Sequence, residues 1–80
     1  MATRENFKIS ANGVHFDTRH KWNAANRAVE SKIGEIAKAE ATNYHLVESE
    51  SEKIGFHHVA GFRTWKGDNG NVVVFEICKV

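Results

Sequence analysis

From Phe7 to Phe16 apolar and polar residues alternate, with one interruption at Asn12-Gly13. Asn-Gly supplies the two positive-φ residues of a type I′ turn, whose twist matches that of the strands it joins. A two-residue loop there sets Ala11 opposite Val14 and Ile9 opposite Phe16. Alternation then gathers Phe7, Ile9, Ala11, Val14 and Phe16 on one face, with Lys8, Ser10 and His15 on the other. Beyond the hairpin the period changes. Trp22, Ala25, Val29, Ile33, Ile36 and Glu40 recur at spacings of three and four, and all but the last form an apolar helical stripe. Asp17 or Thr18 is placed to cap this helix, so the pattern predicts Thr18 to Glu40, roughly 34 Å of helix. Gly34 interrupts it at a cost of about 1 kcal/mol, and close approach to a sheet is the expected compensation.

After Ala41 the period becomes two. Tyr44 to Ser49 reads as a strand and Glu50 to Lys53 as a polar turn. Gly55 to Lys66 and Asn71 to Val80 read as two long strands, joined through Gly67-Asp68-Asn69-Gly70 with the turn closing at Asp68-Asn69 or Asn69-Gly70. Both closures predict the same faces. One holds Phe56, His58, Ala60, Phe62 and Thr64 beside Val73, Phe75 and Ile77. The other holds Val59, Gly61, Arg63 and Trp65 beside Val72, Val74, Glu76, Cys78 and Val80, with an Arg63–Glu76 cross-strand pair. The predicted fold is α+β: an N-terminal β-hairpin, one long helix, then a three-stranded antiparallel meander (ββαβββ), with the helix packed on one sheet face. The expected core is Phe7, Ile9, Val14, Phe16, Trp22, Val29, Ile33, Ile36, Phe56, Phe62, Phe75 and Ile77. One helix covers one face only, so either the hairpin crosses the second face or a partner does.

Composition narrows the class. Eighty residues make one domain (1–80), with polar residues 1–6 expected to fray, and 41% hydrophobic with 26% charged residues is a globular rather than a disordered balance. At this size only roughly 60% of the unfolded chain's surface is buried on folding, so each apolar cluster matters. No apolar run approaches a membrane span. A lone cysteine, Cys78, forms no internal disulfide, which fits a reducing, cytoplasmic setting. The net charge of +1 argues against a strong polyanion binder, but it is unevenly spread. Arg4, Lys8, Arg19, Lys21, Arg27 and Lys32 outnumber Glu5, Asp17 and Glu30 in the first part, while Glu35, Glu40, Glu48, Glu50 and Glu52 outnumber Lys38 and Lys53 in the middle. Such asymmetry orients encounters with a charged partner.

Candidate chemistry is sparse. Zinc needs three or four ligands converging on one point. His57 and His58 alternate across a strand, His15 and His20 straddle the hairpin–helix junction, and His45 lies alone. No metal or other cofactor is expected. Cys78 sits mid-strand among valines and reads as a buried, inert thiol. Glu48, Glu50 and Glu52 share one face if their strand extends that far, and read as a solvated edge. No glycine-rich loop opens a helix, so no phosphate cradle is present. The segment His57-His58-Val59-Ala60-Gly61 resembles the Gln-x-Val-x-Gly wedge of cystatins, which would make Val59 to Gly61 a protease-contacting loop. His57 stands in place of the glutamine, and the residues read more simply as strand, so no role is transferred.

The expectation that remains is binding without catalysis. A chain of this build suits a small inhibitor or adaptor of the sort that phages and mobile elements direct at host machinery, occupying a site on a larger protein or pairing with a second copy of itself. Trp65, Arg63, Val72 and Val74 are the candidate contacts, since Trp and Arg are enriched among binding hot spots. The alternative is a nucleic-acid module, with Lys8, Arg19, Lys21 and Arg27 on phosphates near the helix start.

Overall fold

A computed structural model describes residues 6–80. The elements follow the predicted order: β1 (Phe7–Ala11), β2 (Val14–Arg19), α1 (Trp22–Glu40), β3 (Tyr44–Ile54), β4 (His57–Gly67) and β5 (Val72–Lys79). All five strands form one antiparallel sheet in the order β2-β1-β5-β4-β3. The hairpin therefore joins the sheet by pairing β1 with β5, and does not cross the second face. Of the segment expected to fray, residues 1–5 lie outside the described residues. Asn6 is held, its carbonyl accepting from Val80 N–H at 2.8 Å and its side chain lying 2.6 Å from His20 Nδ1.

Asn12 (φ 49°) and Gly13 (φ 84°) make the type I′ turn, and Ala11 faces Val14 as expected. Asn12 also extends the β1–β5 seam. Its N–H donates to Val74 O at 2.8 Å and its Oδ1 accepts from Val74 N–H at 2.9 Å. A bulge then shifts the register, so Ile9 pairs with Asp17 rather than with Phe16. Phe16, the extra residue, still reaches the helix side, edge-on to Phe75 at 5.9 Å with Lys32 Nζ over its ring.

The strand β2 runs to Arg19, so the helix begins four residues later than expected and is about 28 Å long. Its N-cap is Lys21, with no side-chain cap. Asp17 instead accepts from Thr18 N–H and from Arg19 Nε. Ala25, Ala28, Val29 and Ile33 bury one face of α1 against Phe7, Ile9, Val73, Phe75 and Ile77, with Phe16, Trp22, Ile36 and Trp65 packed around them. Trp22 crosses β4 at Gly61, where any Cβ would lie 2.8 Å from the indole and 2.9 Å from Glu50 O. Gly61 is thus the seat of the helix start. Gly34 is different: it is exposed, with nothing within 4 Å of where a Cβ would stand, so the expected sheet contact is absent.

Two corrections fall in the meander. First, β3 continues through Glu50 to Lys53 and turns at Gly55-Phe56, with Ile54 opposite His57. The run Glu-Ser-Glu-Ser-Glu is strand, not turn. Phe56 therefore occupies the turn itself and is 97% exposed instead of in the core. Val14, in the corner of edge strand β2 beside the turn, is exposed as well.

Second, the β4–β5 loop has three residues, Asp68-Asn69-Gly70, closed by Gly67 N–H to Asn71 O at 2.8 Å. Gly70 takes φ 89°, the left-handed position that a three-residue hairpin loop requires. This slips the register by one residue from either two-residue closure. Trp65 faces Val73, Arg63 faces Phe75 and Gly61 faces Ile77. A one-residue slip exchanges faces. Ala60, Phe62 and Thr64 thus leave the helix side, and Gly61, Arg63 and Trp65 enter it. Glu40 helps hold the loop, its Oε1 accepting from Tyr44 Oη (2.5 Å), Asn69 Nδ2 (2.9 Å) and Asn71 Nδ2 (3.0 Å).

Candidate functional site

Among the described residues no element covers the sheet face opposite α1, called here the open face. Strand pairing lays it out in rows that run across the sheet: Glu48, Thr64 and Val74; then Glu50, Phe62, Glu76, Ser10 and His15; then Glu52, Ala60, Cys78, Lys8 and Thr18. Lys66 and Val72 extend it at the loop end. The middle of this face forms a groove of about 550 Å³, with Glu50 and Glu52 of edge strand β3 on one border and Ala60, Phe62, Val74, Glu76 and Cys78 along the adjoining strands. Val72 is 48% exposed, Cys78 is exposed, and Phe62 and Val74 are half-buried. Cys78 is therefore not the buried thiol expected, because its strand turns that side away from the helix.

The four candidate contacts do not share this face. Val72 and Val74 lie on it, while Arg63 and Trp65 lie beneath the helix. The Arg63–Glu76 pair is absent for the same reason, since Glu76 faces Phe62. Arg63 is instead a tie between layers. Its Nη1 donates to Glu50 O (2.7 Å) and Phe62 O (2.9 Å), its Nη2 to Asn26 Oδ1 (2.9 Å) and Ser51 Oγ (3.3 Å), and its guanidinium lies 5.6 Å from the Trp22 ring. Partial burial lowers its pKa from the ordinary arginine value, without bringing a guanidinium near neutrality. Of the residues not counted among the candidate contacts, Phe62 and Ala60 are placed on the open face by the same slip and Glu50 by the continuation of β3, while Glu76 keeps the face expected of it. The available signal was Gly70 at the last position of a three-residue loop.

The basic alternative is also divided. Lys8 stands on the open face across from Cys78. Arg19 is bound to Asp17 at 2.7 Å, which holds the Asp17 carboxyl below its usual range. Lys21 and Arg27 belong to the helix start, whose first turn carries no acidic residue.

The histidines are dispersed. His15 Nε2 lies 3.0 Å from Thr18 Oγ1, His45 Nε2 is 3.2 Å from Asp68, and His58 stacks on Trp22 at 4.3 Å. Among the described residues no three His, Cys, Asp or Glu side chains come together as a ligand set, and no helix is long and apolar enough to cross a membrane. The segment resembling the cystatin wedge is the first half of β4. Comparison with protein-family models, with curated proteins and with solved structures returns no match.

Proposed function

We propose that this chain is a non-catalytic protein-binding domain of the inhibitor or adaptor type, and that it occupies a site on a larger protein through its open sheet face. The observation that carries the reading is the uncovered floor of Phe62, Val72, Val74, Ala60 and Cys78 in a domain too small to waste apolar surface. Contiguous apolar area on a monomer marks an interaction surface more often than scattered single residues do. The groove borders supply the polar rim common to such interfaces.

The test is affinity capture at moderate salt with three baits: wild type, Val74→Asp and Lys21→Glu. Val74 is half-exposed on a face that no described element covers, so Val74→Asp should keep its circular dichroism spectrum and a cooperative melting transition, with a midpoint only a few degrees lower. A protein retained by wild type and Lys21→Glu but lost from Val74→Asp supports the reading. Equal recovery on all three baits removes it. The competing reading, nucleic-acid binding at the helix start, requires affinity that falls steeply with salt and depends on Lys21 and Arg27.

A further inference from the structure

We infer that the open face docks a basic segment of the partner protein, seating a lysine or arginine over Phe62 between Glu50 and Glu76 and an apolar side chain against Val74. This rests on the protein-binding reading and goes beyond it by naming the chemistry of the bound segment.

The geometry follows from the pairing. Phe62 has Glu50 directly opposite on β3 and Glu76 directly opposite on β5, all three on the same face. Adjacent strands are about 4.8 Å apart, so the two carboxylate-bearing positions flank the ring at about 10 Å from each other. A cation over an aromatic face is attracted by the ring quadrupole, and a carboxylate on either side adds charge and hydrogen-bond acceptors. Val74 lies one row further along, and Ala60 and Cys78 one row back, so apolar side chains of the same segment find a floor on both sides of the cation.

The border is held before anything binds. Glu50 belongs to an edge strand, which alone would be free to splay. From the opposite side of the sheet, Arg63 grips the main chain at Glu50 and the side chain of Ser51 while it bonds Asn26 of the helix. The helix thereby fixes the position of Glu50 relative to Phe62. Preorganisation of this kind reduces the ordering cost of association.

Charge selects among occupants. The face carries Glu48, Glu50, Glu52 and Glu76 against Lys8 and Lys66. A second copy stacked face to face would bring two net-negative surfaces together. Nucleic acid and anionic lipid are disfavoured by the same sign. The basic side chains of this chain's helix start, Lys21 and Arg27, lie on the other side of the sheet and leave the face free. A cationic segment with interspersed apolar residues complements the face in both charge and polarity.

The test uses the full chain, isotope-labelled for amide shift mapping, with three synthetic peptides of equal length built on the repeats Leu-Leu-Arg-Arg, Leu-Leu-Glu-Glu and Ser-Ser-Arg-Arg, so that in an extended peptide each face alternates the two residue types. The Leu/Arg peptide should bind most tightly and perturb the amides of Glu50, Phe62, Val74 and Glu76. Glu50→Lys and Glu76→Lys should each weaken it by about tenfold or more. Glu76→Gln, which keeps size and removes charge, should weaken it less, and Phe62→Leu should cost several-fold by removing the ring while keeping an apolar floor. Lys21→Glu should leave binding unchanged. Equal binding of the Leu/Glu peptide, shifts confined to the helix side, or no Leu/Arg binding overturns the inference. If Val74→Asp loses its captured protein and the Leu/Arg peptide still fails to bind, the face is right and the assigned chemistry is wrong.

Discussion

Strand β5 contributes to two surfaces of opposite fate. Val73, Phe75 and Ile77 are buried beneath α1, whereas Val72, Val74, Glu76 and Cys78, alternating with them, look out from the other side. Both sets are mostly apolar, so hydrophobicity does not distinguish core from binding surface here. Coverage does. The covered side has Ala25, Ala28, Val29 and Ile33 packed on it, with Trp22 lying over Gly61. The open side has instead Glu48, Glu50 and Glu52 along edge strand β3, and Glu76 between Val74 and Cys78 on β5. A surface of that kind interleaves its apolar residues with charge, and remains free to exchange water for a partner.

The largest effect that separates the two sides is on stability. Phe75 is fully buried, and Phe75→Ala should cost about 3–5 kcal/mol through lost burial and the cavity left behind. In a small domain that approaches the whole folding free energy. Val74→Ala, the neighbouring residue on the open side, should change stability by no more than about 1 kcal/mol. Urea unfolding of the two variants measures the contrast directly, and equal losses would break it.

Smaller effects are expected at two helix positions where local preference is violated without compensation from the sheet. Gly34 lies mid-helix with open space where a Cβ would stand, and Ala41 ends the helix in the left-handed region at φ 52°. Gly34→Ala and Ala41→Gly should each raise stability by about 1 kcal/mol, the first by helix propensity and the second by relieving a strained cap. Thermal melts of the single and double variants test this, and their effects should add because the sites do not share partners. Peptide and partner binding at the open face should be unaffected.

The smallest effect belongs to the clasp on the loop that sets the register. Hydrogen bonds from Tyr44, Asn69 and Asn71 lower the Glu40 pKa from its ordinary value, and the bond to Glu40 raises that of Tyr44. Because the folded-state value is depressed, the clasp stabilises above about pH 4.5 and the contribution is lost as pH falls from there through the lowered folded value. Glu40 is exposed, so the loss is modest. Glu40→Gln should flatten this part of the acid limb in a pH series of melting temperatures, while leaving the fold intact.

The separation of what is local from what is not runs through particular residues. Asn12-Gly13 determines a tight hairpin because only such residues accept two successive positive φ values, and the three-and-four spacing of Trp22 to Ile36 determines the buried side of a helix. Alternation within each strand is equally local, which is why the element order and the α+β class were legible in the sequence. The extent of β3 was not legible: Glu48 to Lys53 is polar at every position, so no apolar period separated a strand from the polar turn expected there. Pairing between strands is another matter. Whether Trp65 or Thr64 stands beside Val73 depends on a loop of two or three residues at Gly67 to Asn71, and one residue exchanges every side chain of β4 between core and surface. The composition of β4 could not resolve it, because Ala60, Phe62 and Thr64 suit a core about as well as Gly61, Arg63 and Trp65. Tertiary structure decided through contacts distant in sequence: Glu40 and Asn43 on the loop, Trp22 over Gly61, and Arg63 reaching Asn26. These place Phe62 between two glutamates on the open side, an arrangement that exists only once three strands lie in register.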